Sequence, residues 1–135
     1  FSVSTVKHAH HDFDVDQPGR DSHRHRMAGA TEVLAVSTQR WALMHELRGR
    51  DEPPLELLLE KLAPVDLVLV EGYKRDRHPK IEAWRAAAGH ALIAPEDPTI
   101  RAVASDQVLP DLKVPRFDLD DTRAIAAFIL SEVGL

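Results

Sequence analysis

The chain has 135 residues, 44% of them apolar, which suits one folded domain with a core and excludes a disordered segment. A formal net charge of −5 argues against a general nucleic-acid binder. The lack of cysteine excludes disulfides, thiolate metal sites and cysteine nucleophiles, and no apolar run reaches the roughly 20 residues of a membrane span. No signal peptide is visible, so a cytoplasmic location is expected.

The chain opens Phe1-Ser2-Val3-Ser4-Thr5-Val6, without an initiator Met. This Val-, Ser- and Thr-rich stretch reads as a strand ending near Lys7. A strand in progress at the first residue leads us to expect a further segment upstream. His8-Ala9-His10-His11-Asp12-Phe13-Asp14-Val15-Asp16 is a polar loop, closed by the turn signal Gln17-Pro18-Gly19. Asp21-Ser22 can cap a helix over about 23–30, with Gly29 at its end. Residues 32–37 read as a short strand, and 40–47 as another, with a helix as the competitor. Asp51-Glu52-Pro53-Pro54 opens a helix through about Leu62, with Leu55, Leu58, Leu59 and Leu62 on one face, and Ala63-Pro64 stops it.

Asp66-Leu67-Val68-Leu69-Val70-Glu71-Gly72-Tyr73 follows. An unbroken aliphatic run reads as a strand buried on both faces, as in the middle of a parallel sheet. Glu71 and Gly72 fall at its carboxyl end, the edge where open α/β sheets bind ligands. A carboxylate there can hold Mg²⁺, orient a water or act as a base, or it can simply end a strand at the surface. Lys74-Arg75-Asp76-Arg77-His78-Pro79 is a charged loop, able to draw in an anionic partner or merely solvated. Residues 80–85 read as a strand, 86–90 as a turn or short helical piece, 99–106 as a strand ending in Asp106, and 114–117 as a short last strand. A final helix runs from Asp120-Asp121 to about Val133, with Ile125, Phe128, Ile129 and Val133 on its apolar face.

This alternation predicts a single α/β domain over 1–135 with a mostly parallel sheet and flanking helices. Three polar clusters then fall at strand ends: residues 8–16, Glu71-Gly72 and Ser105-Asp106. At one edge of one sheet they would make a site.

Each cluster carries more than one chemistry. The loop's histidines and acids could bind a transition metal, or a carboxylate could meet a nucleotide's Mg²⁺, or the loop could be only solvated. An EF-hand is disfavoured, because the glycine and the terminal bidentate Glu are lacking. A strand-end Asp such as Asp106 can accept from guanine N1–H and its exocyclic amine, or can cap a turn. A non-enzymatic metal-binding or metallochaperone module would use His8, His10, His11, His23 and His25. Trp41 and Trp84 read as core or interface aromatics.

Val6 to Asp16, Pro18-Gly19-Arg20-Asp21-Ser22, Gln39 to Met44 and Asp66 to Lys74 together resemble one family, molybdopterin-guanine dinucleotide biosynthesis protein B, or MobB. The matches cover most of residues 3–106, and the His-His-Asp-x-Asp-x-Asp run is the most specific part. The resemblance implies a P-loop NTPase-like fold, binding of GTP and Mg²⁺, and weak GTPase activity. It implies an accessory role beside a MobA-type molybdenum cofactor guanylyltransferase acting on molybdopterin, and a homodimer. It places Glu71 at the Walker B acid, as catalytic residue and Mg²⁺ partner. It places Lys7, His8, Asp12, Asp14 and Gly72 at the nucleotide, with Asp12 or Asp14 reaching it through Mg²⁺, and Asp106 near the base.

One feature of that family departs from this sequence. None of the six glycines begins a Gly-x-x-x-x-Gly-Lys loop, the element that cradles phosphates with backbone N–H groups. The resemblance therefore leads us to expect roughly 30 further residues upstream, about one βα unit with its loop. The strand that should lie beside Glu71 would be part of it.

Overall fold

The computed structural model describes residues 1–9 and 13–135. The chain divides into two compact units, Phe1–Gly72 and Tyr73–Leu135.

In the first unit, β1 (Val3–Lys7) runs parallel to β4 (Leu67–Glu71), in a register that pairs Val3 with Leu67 and Lys7 with Glu71. A reciprocal clamp starts the pair. The Ser2 amide and hydroxyl both donate to Asp66 Oδ2, at 2.6 and 2.9 Å, and the Asp66 amide donates back to Ser2 Oγ at 3.0 Å. The Ser2 amide, then its hydroxyl, holds the Asp66 carboxyl below its ordinary value. A one-residue slip would break all three bonds and turn every side chain to the other face. Between these strands come α1 (Asp21–Met27), β2 (Glu32–Val36), β3 (Trp41–His45) and α2 (Leu55–Leu59).

The competition over residues 40–47 resolves in favour of strand: β2 and β3 are an antiparallel hairpin, Val36 opposite Trp41 and Glu32 opposite His45. Ser37 nucleates its turn, its hydroxyl accepting from the Gln39 and Arg40 amides. Helix α1 begins at Asp21 itself, with Arg20 as N-cap and no side-chain cap, so Asp21 sits inside the first turn instead of capping it. Its charge there still favours the helix N-terminus. Helix α2 is one turn long, because the Lys61 and Leu62 amides bond to the Leu58 and Leu59 carbonyls, the tighter i→i−3 pattern.

In the second unit, β5 (Lys80–Trp84), β6 (Ile100–Ser105) and β7 (Arg116–Asp118) form a parallel sheet in that order. Helix α3 (Thr122–Val133) follows, its N-terminus capped by Asp121 accepting from the Ala124 amide at 3.0 Å. The Phe117 and Phe128 rings meet at 5.2 Å, tying α3 to β7. The outer strand β5 is anchored through Lys80, which donates to Asp97 Oδ2 at 3.0 Å and to Thr99 Oγ1.

The strand buried on both faces is β6, not β4. Ile100, Ala102, Val103, Ala104 and Ser105 are all buried. β4 is only half-buried, with Leu69 40% exposed. The reason is position: β6 has a strand on each side, whereas among the described residues β4 pairs with β1 alone. The expected single parallel sheet is thus, among the described residues, a parallel pair, an antiparallel hairpin and a parallel triplet.

Candidate functional site

Two of the three predicted clusters meet at the carboxyl end of the β1–β4 pair. Register places Lys7 beside Glu71, and Lys7 Nζ donates to Glu71 Oε1 at 2.5 Å. One residue further on, the His8 amide donates to the Glu71 carbonyl at 2.8 Å. The His8 ring reaches Glu52, just before α2, with Nε2 at 3.1 Å from Oε2. Gly72 then turns the chain away at φ +99°, and Tyr73 continues the turn at φ +47°.

Gly72 is required twice over. Its positive φ lies where side chains are rarely tolerated. A Cβ on it would also stand 2.6 Å from the Cβ of His8. The backbone of this edge is therefore tightly built, while the Lys7 and Glu71 side chains remain about two thirds open to solvent.

The acidic loop is organised from α1. Arg26 Nη2 donates to Asp14 Oδ1 at 2.8 Å and to Asp16 Oδ1 at 2.9 Å, and its Nη1 reaches Glu46 at 3.5 Å. Asp16 and Arg26 are largely enclosed, whereas Asp14 is 60% exposed. The hydrogen bond that Arg26 donates to Asp16, and then the surrounding negative charge, raises the pKa of Arg26 against the opposing effect of burial. Arg48, at φ +48°, donates from Nη2 to the carbonyls of Arg26 and Ala30. Loop, α1 and the end of the hairpin are thereby stitched together around one guanidinium, whose fork suits several carboxylates at once.

Asp12, His10 and His11 lie outside the described residues. His23 and His25 lie on α1. The third cluster belongs to the second unit. Asp106 follows the middle strand of the parallel triplet and accepts from the Ala86 amide at 3.2 Å, which caps the short helical turn Ala86–Ala88. Ser105, fully buried, accepts from the Gln107 amide through its hydroxyl, and its carbonyl takes Arg116 Nη2 at 2.6 Å.

Sequence reasoning missed Arg26 and Glu52. Nothing in the string distinguishes Arg26 from Arg24, two residues away, which among the described residues makes only an exposed i,i+3 pair with Asp21 at 3.5 Å. Only packing separates them.

Among the described residues no group of three His, Asp or Glu side chains could hold a metal ion. A complete protein cage for a transition metal is therefore not seen among them. A single open carboxylate at a strand end suits Mg²⁺ better, because that ion is held by one or two carboxylates together with waters and substrate phosphates. A cation, the Lys7 ammonium, already lies on Glu71. Among the described residues no helix is long and apolar enough to cross a membrane.

The chain resembles known proteins along nearly its whole length. The family model for molybdopterin guanine dinucleotide synthesis protein B matches residues 1–106. The molybdopterin-guanine dinucleotide biosynthesis adapter protein of Escherichia coli (strain K12) is 42% identical over 131 residues, spanning 93% of this chain and 73% of that protein. The adapter protein of the same description from Haemophilus influenzae is 37% identical over 134 residues, covering 94% and 70%. A solved structure of a MobB protein homolog from Bacillus stearothermophilus superposes with a TM-score of 0.70 at 28% identity, covering 98% of this chain and 78% of that one. A crystal structure of molybdopterin-guanine biosynthesis protein B gives a TM-score of 0.73 at 23% identity, covering 99% and 80%. The fold is accordingly the α/β, P-loop NTPase-like one.

Proposed function

The chain belongs to the family of molybdopterin guanine dinucleotide synthesis protein B, and from that premise we propose that it is a GTP-binding accessory protein of molybdopterin-guanine dinucleotide biosynthesis. Its partner would be a MobA-type guanylyltransferase, with molybdopterin as the group on which that partner works. The observation that carries this reading is the paired edge of β1 and β4. There a carboxylate and an ammonium stand side by side at the carboxyl end of parallel strands, open to solvent on a fixed backbone.

In this reading Glu71 serves Mg²⁺ or orients the attacking water, and Lys7, His8 and Gly72 border the phosphates. Asp14, the most exposed carboxylate on Arg26, supplies the loop's negative charge toward the metal, with Asp12 as its alternate. The family resemblance alone is the ground for offering Asp106 to the base. The family supports nucleotide binding in general, and GTP with Mg²⁺ is the specific form proposed.

A calorimetric titration of the full-length protein with GTP-Mg²⁺ and with ATP-Mg²⁺ tests the reading. GTP should bind more tightly. If neither nucleotide binds, the proposal fails, and equal binding removes Asp106 from base recognition. Glu71→Gln should lower hydrolysis more than affinity, and unchanged hydrolysis would count against its role.

We further propose a homodimer built on the hairpin. Leu34, Val36, Trp41 and Leu43 pair across β2 and β3 on one face and are 50–70% exposed. An apolar strip on an otherwise charged surface is what an interface between copies would cover.

A further inference from the structure

We propose that Lys7 and a divalent cation are alternative partners of Glu71, so that Lys7 is a positioning residue which holds the carboxylate until the cation replaces it. This rests on the nucleotide reading of the same edge.

The two residues are register partners, so their side chains leave the same face of the β1–β4 pair. Nζ lies 2.5 Å from Oε1. The carboxylate springs from a fixed point, because the Glu71 carbonyl is bonded by the His8 amide and Gly72 is packed against His8. Lys7 reaches it on a flexible four-carbon stem and can leave without any backbone change.

Both cations compete for Glu71 Oε1, the oxygen that Lys7 holds. A Mg²⁺ ion about 2.1 Å from the carboxylate oxygen would lie within roughly 4 Å of an ammonium on the same atom. Like charges that close repel strongly, and the doubly charged ion competes better for a single carboxylate. The ion pair is open to water, with its two side chains 68% and 71% exposed. Pairs of this kind contribute little, so displacement is cheap. Freed from Glu71, the Lys7 ammonium remains at the edge where a phosphate would arrive. One event therefore seats the metal and turns a positive charge toward the anion it accompanies.

The test uses full-length protein, Mn²⁺ as the spectroscopically visible ion, and the variants Lys7→Met, Lys7→Arg and Glu71→Gln. Free Mn²⁺ is followed by electron paramagnetic resonance without nucleotide, and GTP affinity is measured in chelator. Lys7→Met should bind Mn²⁺ roughly two- to five-fold more tightly, the scale of an exposed ion pair removed. Its metal-free GTP affinity should fall, and Lys7→Arg should restore both values. A loss of folding would shift both affinities the same way. If Glu71→Gln weakens Mn²⁺ binding while Lys7→Met leaves it unchanged or weaker, the exchange is overturned and Glu71 keeps its metal role. If Glu71→Gln leaves Mn²⁺ binding intact, the metal role proposed for Glu71 fails and the exchange with it.

Discussion

Replacing Gly72 with alanine should damage the edge where β1 and β4 end, by two separable effects. The first is conformational: at φ +99° an L-residue costs about 1–3 kcal/mol. The second is steric. The new Cβ would stand 2.6 Å from the His8 Cβ, an atom that no side-chain rotation can move aside. Relief requires a backbone shift, and forced overpacking of this kind costs about 1–3 kcal/mol more. The segment that must shift carries the 2.8 Å bond from the His8 amide to the Glu71 carbonyl. Gly89→Ala is the control, because Gly89 also has a positive φ, +68°, yet an added Cβ there meets nothing within 4 Å. Urea unfolding of the two variants therefore isolates the contact with His8. Gly72→Ala should lose about 2–6 kcal/mol and Gly89→Ala about 1–2 kcal/mol. Equal losses would refute the close approach, and with it the rigid backbone under Glu71.

Three further outcomes follow from other parts of the chain. Arg26→Met should lower the thermal midpoint by several degrees or more, since it strips the counter-charge from the enclosed Asp16; Arg26→Lys should recover only part, and a midpoint unchanged in both would show that the loop stands without the guanidinium. The Asp97 carboxyl is held down at about 2 by the Thr99 hydroxyl, the Thr99 amide and Lys80. A depressed folded-state value means stability that is full above the unfolded value of about 3.9 and fades as pH falls toward 2. Asp97→Asn should flatten that part of the acid limb in urea midpoints measured from pH 5 to 2, and an identical limb would sink the assignment. Trp41→Asp should convert the proposed dimer to monomer in sedimentation at micromolar concentration, while circular dichroism stays unchanged, because Trp41 is 67% exposed. A dimer that survives the change would move the interface elsewhere.

Much of the local architecture was legible in the residues themselves. Val-rich and aliphatic runs marked β1, β4 and β6, because a branched side chain packs on a pleated surface and one without polar alternation expects cover. Pro53-Pro54 marked where α2 opens, whereas the stop expected at Ala63-Pro64 lies beyond its observed end at Leu59. The carboxylate and glycine closing 66–72, and the acidic, histidine-rich run after Lys7, were visible as chemistry out of place in a plain α/β core. Their spacing even pointed to a family.

Tertiary structure decided what stands next to what. Strand order made β6 the enclosed strand and left β4 with one partner among the described residues, a matter of neighbours that composition does not encode. Register brought Lys7 onto Glu71 across 64 residues. Packing chose Arg26 over Arg24 to hold Asp14 and Asp16, although both lie on the same seven-residue helix. A sequence states which groups can ionise, but their partners depend on distances set by the fold, because a hydrogen bond is lost within a few tenths of an ångström to an ångström and an ion pair weakens with separation.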